Sequence, residues 1–112
     1  MYSKLVISPT KDNKYKILKM LQYKDIAVPQ GYKTNGANIP RVFWSIVPPF
    51  KPKYLPAVVI HDYLCDLEMY VKADKYFEEV LIDIEDSIIT RAMIRAVKLY
   101  HRFRYNVNIK NN

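Results

Sequence analysis

SIITRAMIRAVKLYHRFRY, residues 87–105, sets Ile89, Ala92, Met93, Ala96, Val97, Tyr100 and Phe103 at the three- and four-residue spacing of one helical face. Arg91, Arg95, Lys98 and Arg102 fall on the other side. The stretch therefore predicts an amphipathic helix over about Ser87–Tyr105, with Asp86 as its cap. Its basic stripe is most simply the wet side of that helix, or a face turned to an acidic neighbour. Upstream, Ala73, Tyr76, Phe77, Val80, Leu81 and Ile84 repeat the same period and predict a helix over Tyr70–Ile84. A third helix is expected from about Tyr54 to Leu67, with Pro56 in its first turn, where a missing N–H goes unnoticed.

The N-terminal part reads differently. Lys4–Ser8 and Lys14–Met20 are rich in β-branched and aromatic residues, and turn formers fill Pro9–Asn13, so a hairpin is expected. Gln22–Val28 reads as a third strand closed by Pro29. Gln30–Arg41 reads as irregular: Gly31 and Gly36 tolerate unusual backbone angles, and Thr34, Asn35 and Asn38 bond nearby backbone. Asn38 suits the cap of a short helix over Pro40–Val47, after which Pro48, Pro49 and Pro52 force an extended connector. Residues 106–112 read as a frayed tail. The expected architecture is α+β: a small N-terminal antiparallel sheet, then a loop and three main α-helices, in a single domain over residues 1–112.

Composition narrows the function classes. Half of the 112 residues are apolar and 13% aromatic, ample for one core. The lone cysteine, Cys65, has no internal disulfide partner, and Met1–Thr10 lacks a secretory apolar run, so a reducing compartment is expected. Two glycines rule out a glycine-rich phosphate loop. Net charge is +7 but segmented: residues 1–60 carry +8, residues 61–86 carry −7, and residues 87–112 carry +6. The acidic middle can neutralise the basic ends, which makes solvated surface and internal ion pairs the simpler reading than nucleic-acid binding.

Polar chemistry concentrates in two places, Tyr32–Arg41 and the His61-Asp62-Tyr63-Leu64 segment of an otherwise apolar helix. A buried histidine and aspartate carry a desolvation cost unless partnered. Adjacent helical residues diverge by about 100°, so His61 and Asp62 cannot pair with each other. Asp74, at the edge of the next helix's buried face, and the loop amides Asn35 and Asn38 are the candidate partners. Such a set suits either a hard divalent metal ion, held by Asp62 and Asp74, or an acid–base pair. A structural hydrogen-bond network tying helix to loop is the plainer alternative. Zinc fits less well, since His101 lies on another helix and Cys65 is the only thiol.

The run from Val28 to Arg41, with Thr34-Asn35-Gly36-Ala37-Asn38 at its centre and Phe43 and Trp44 after it, resembles the signature of the domain-of-unknown-function 1353 family. The resemblance continues through the Ala-x-x-x-His-Asp-Tyr-Leu segment at Ala57–Leu64, the Ala-Asp-x-x-Phe segment at Ala73–Phe77 and the last helix, covering roughly residues 25 to 105. The family commonly has Thr-Asp-Gly-Ala-Ser where this chain has Thr34 to Asn38, so Asn35 removes a carboxylate from a position suited to a ligand or base. The resemblance implies bacteriophage or prophage origin and no established activity.

Two main expectations follow. One is a small metal- or acid/base-dependent hydrolase, with His61 as base or ligand, Asp62 and Asp74 as ligands or orienters, Arg41 as an anion clamp, and Thr34, Asn35 and Asn38 binding substrate. The other is a non-catalytic virion or tail component, or a module that binds a host protein. Nucleic-acid binding is a weaker third. Expected partners are other virion proteins or a host protein rather than a membrane, and the expected location is the bacterial host cytoplasm or the virion.

Overall fold

The computed structural model describes residues 6–12, 14–34 and 54–104. It has the expected α+β order: short strands first, three helices after. The chain divides into two units, Met1–Asn35 and Gly36–Asn112. The short helix expected over Pro40–Val47, the proline connector and the tail lie outside the described residues.

In the N-terminal unit, β1 (Ile7–Pro9) and β2 (Tyr15–Ile17) form the expected hairpin, with Ile7 opposite Ile17. Its second strand is shorter than the apolar pattern over Lys14–Met20 predicts. Its turn is held by Thr10, whose N–H donates to the Lys14 carbonyl at 2.9 Å while its Oγ1 accepts from the Lys14 N–H at 3.1 Å. The Thr10 hydroxyl also bonds Asp12, and that bond holds the Asp12 carboxyl below the usual carboxylate range.

The single strand expected over Gln22–Val28 is in fact a second hairpin: β3 (Leu21–Tyr23) and β4 (Ile26–Val28), antiparallel, with Lys24 and Asp25 as its turn. The physical reason lies in face parity. On one straight strand, Tyr23 and Ile26 would point to opposite faces. Folding back at Lys24, which takes φ 49°, sets Tyr23 opposite Ile26 and Leu21 opposite Val28, so all four are buried together. The Gln22 amide clasps the turn by donating to the Lys24 and Ile26 carbonyls, each at 3.2 Å.

A second correction concerns Lys33 and Thr34, expected in irregular loop. They form β5, antiparallel to β2, with Thr34 opposite Tyr15, completing a sheet of order β1-β2-β5. Gly31 makes the return possible: at φ 93° its N–H reaches the Ile17 carbonyl at 2.7 Å, and the Ile17 N–H reaches the Tyr32 carbonyl at 2.8 Å.

The helical unit contains α1 (Leu55–Asp66), α2 (Tyr70–Ile84) and α3 (Ile88–Arg104), close to the predicted spans. The α1 helix packs on α2, and α2 on α3. Residues Leu55 through Asp62 are all buried, which explains why α1 shows little apolar-polar periodicity: it is a core helix. The α1–α2 turn has Schellman geometry. Glu68 N–H donates to the Cys65 carbonyl at 2.9 Å and Met69 N–H to the Leu64 carbonyl at 3.0 Å, with Glu68 at φ 60°.

Two expectations for α3 are corrected. Its cap is Ser87, not Asp86: Ser87 Oγ accepts from the Thr90 N–H at 3.2 Å, and Thr90 Oγ1 accepts from the Ser87 N–H at 3.0 Å. Asp86 instead grips Arg91, at 2.8 and 3.1 Å. The buried face is also rotated from the predicted one. Thr90, Met93, Ile94, Ala96 and Val97 are buried, whereas Ile89 and Ala92 are exposed. Of the basic stripe, Lys98 meets the acidic α2, with its Nζ 2.6 Å from Glu78 Oε1. Among the described residues no helix is long and apolar enough to cross a membrane.

Candidate functional site

The tight α1–α2 turn sets the site's geometry. In a helical hairpin, residues equally spaced from the turn face one another. His61 and Asp74 stand at nearly equal distances from Glu68, and His61 Nε2 lies 2.9 Å from Asp74 Oδ1. His61 is 0% exposed and the Asp74 side chain 13%. With the carboxylate accepting, His61 carries its proton on Nε2, and Asp74 fixes both tautomer and ring orientation.

Two further side chains enclose the imidazole. Phe77, one turn beyond Asp74, brings its ring to 4.9 Å between centroids, tilted by 50°. Cys65, one turn beyond His61, places Sγ 3.9 Å from Nδ1 and 3.8 Å from Nε2. These near-equal distances put the sulfur against the ring rather than on the lone pair of one nitrogen. Burial, reinforced by the charges of Asp62, Asp74 and Asp66, pushes the Cys65 thiol well above the ordinary thiol range. Cys65 is therefore a protonated wall of the site and not a nucleophile. The sequence shows Cys65 only as a lone thiol and Phe77 only as an apolar-face and motif residue, although the i+4 relation to His61 and the i+3 relation to Asp74 would have placed both at the site.

Asp62 is 2% exposed, on the same helix as His61 but turned away from it as helical geometry requires. Its field still reaches Cys65. The helical hairpin thus buries one histidine and an aspartate and covers most of a second acid. This is an expensive arrangement for stability alone, since apolar residues of similar volume usually serve a core as well or better. Among the described residues, no three His, Cys, Asp or Glu side chains are grouped to hold a metal ion. Asp62 and Asp74 do not form a complete metal site with those residues alone. Thr34 lies in the N-terminal unit, 1% exposed on β5. Asn35, Asn38 and Arg41 lie outside the described residues.

Comparison with known proteins agrees with the resemblance in the motifs. Fifty residues of this chain, 44% of its length, are 46% identical to the uncharacterized protein y4jT of Sinorhizobium fredii, but cover only 15% of that protein. No solved structure matches. Residues 11–97 match the family described as protein of unknown function (DUF1353), and the chain belongs to that family.

Proposed function

We propose that this chain is a small phage- or prophage-derived hydrolase whose acid–base centre is His61 oriented by Asp74. The observation that carries the reading is the 2.9 Å contact between a buried imidazole and a carboxylate presented from a second helix. That is the arrangement of a general base held in one tautomer by an orienting acid. With Nε2 committed to Asp74, Nδ1 is the working nitrogen. It takes a proton from water as the oxygen attacks an acyl carbon, and returns it to the leaving oxygen of an ester, or to the leaving nitrogen of a cell-wall amide, as the acyl bond breaks. An ester or a cell-wall linkage is the proposed substrate class, Arg41 the proposed anion clamp, and Asn38 a proposed substrate contact. Motif likeness supports the phage origin, and with it a site of action in the host cytoplasm or at the virion.

The complete burial of His61 favours a second reading. There the pair is a fold lock between α1 and α2, and the protein is a non-catalytic virion component or a host-protein binder.

Hydrolysis assays on chromogenic esters and on purified cell wall, with and without Mg²⁺, Mn²⁺ or chelator, separate the two. The hydrolase reading expects turnover lost by about two to four orders of magnitude in His61→Ala and Asp74→Asn. Absence of turnover on every substrate, with both variants merely less stable, would establish the fold lock instead.

A further inference from the structure

The outward side of α3 carries an apolar row that the core does not use. Ile88 is 89% exposed, Ile89 and Leu99 47% each, and Ala92 is also exposed. Arg91, Arg95 and Leu99, spaced by four, form a ridge with a groove on each side. One groove, about 380 Å³, is bounded by Ile88, Ala92 and Ala96. The other, about 310 Å³, lies between α2 and α3 over Ile82 and Ile94. A row of side chains at i, i+4, i+8 flanked by two grooves is the surface that accepts the ridges of another α-helix.

Charge specifies the helix. Arg91 is neutralised by Asp86 and Lys98 by Glu78. Arg95 and Arg102 border the same groove and have no acid partner among the described residues. They stand seven residues apart, about 10.5 Å along the helix, and so match two acids seven apart on an opposing helix. Pairing α3 with α3 of a second copy would set cation against cation, because residues 87–112 contain no acid. Exposed isoleucines with no exposed aromatic among the described residues also suit nucleic acid poorly.

We propose that the outer face of α3 docks an amphipathic helix of another protein, with apolar residues seated over Ile88, Ala92 and Leu99 and acids paired to Arg95 and Arg102. This surface is independent of His61 and its neighbours.

The test uses a displayed library of helical peptides of about 16 residues, with Glu fixed at i and i+7 and apolar positions varied. Binders are expected, with affinity falling about tenfold or more in the Arg95→Glu/Arg102→Glu double variant and recovering when the peptide's two Glu are replaced by Lys. Leu99→Asp should abolish binding by both peptides. All these positions are exposed, and circular dichroism melts check that the variants stay folded. An empty selection, or binders indifferent to the charge reversal, would overturn the proposal. So would Leu99-dependent dimerisation in sedimentation, or loss in the double variant of binding to duplex DNA or phosphatidylglycerol vesicles, each of which assigns the face to a different occupant.

Discussion

His61 and Asp74, thirteen residues apart in sequence, meet at 2.9 Å because the Leu67–Met69 turn folds α2 back along α1. The contact gives each of the two polar groups a partner. His61→Ala and Asp74→Ala are each expected to lower unfolding free energy by about 1–3 kcal/mol, the usual result of stranding a buried partner. The double variant should lose clearly less than the sum, because the two changes remove one interaction. Urea unfolding of the four proteins measures this, and simple additivity would show that the two residues act separately.

Cys65 provides a reporter for the same cluster. Burial raises its folded pKa above the unfolded value, so the protonated thiol is favoured in the native state. Its contribution to stability is then fully present below the ordinary thiol range and is lost as pH rises above it. Native protein at pH 8 should react with a thiol reagent far more slowly than urea-unfolded protein. Cys65→Ala should flatten the alkaline decline in stability relative to the parent chain. Rapid native labelling would mean that the wall of the site is open.

Glu68 occupies the left-handed corner of the α1–α2 turn at φ 60°, a conformation that suits glycine. Glu68→Gly should raise stability by about 0.5–1 kcal/mol, since the strain removed outweighs the added freedom of the unfolded chain. A thermal melt decides. The same variant should keep the His61–Asp74 contact, because the turn bonds are made by backbone. The thiol-labelling rate of Cys65 should therefore not change.

How much of this was legible in the sequence depends on the element. The helices were: α2 and α3 carry long 3.6-residue patterns, and α1 is an apolar run opened by Pro56, with breaks at Leu67–Met69 and Glu85–Ser87. The His61–Asp74 pairing was legible in part, since helix geometry excludes Asp62 but leaves Asp74 beside the loop amides Asn35 and Asn38 as candidates, and the 2.9 Å contact is with Asp74. The β3–β4 hairpin was not. Lys24 and Asp25 are not a strong turn pair, and only the need to bury Tyr23 and Ile26 on one face reveals the fold-back. The buried face of α3 was misjudged for a different reason. Apolar residues occur on both sides of that helix, and a buried threonine, Thr90, marks the true inward side.

Thr90 is buried because it belongs to the start signal of α3, and that gives the last prediction. Ser87 and Thr90 exchange backbone-to-hydroxyl bonds at 3.2 and 3.0 Å, and Thr90 Oγ1 also donates to the Glu85 carbonyl at 2.7 Å. The Glu85 carboxylate in turn accepts from Ser87 Oγ at 2.6 Å and from the Tyr54 hydroxyl at 3.0 Å, tying the start of α1 to the α2–α3 junction. Ser87→Ala should therefore cost about 1–2 kcal/mol, at the upper end for a cap, because the cap hydroxyl serves two partners. Asp86→Ala removes only an exposed pair with Arg91 and should change stability by less than about 0.5 kcal/mol. Tyr54→Phe should fall between them, at about 1 kcal/mol, by deleting one hydroxyl from a carboxylate that keeps Ser87. Chemical denaturation of the three variants ranks them, and a larger loss at Asp86 than at Ser87 would return the cap to the aspartate.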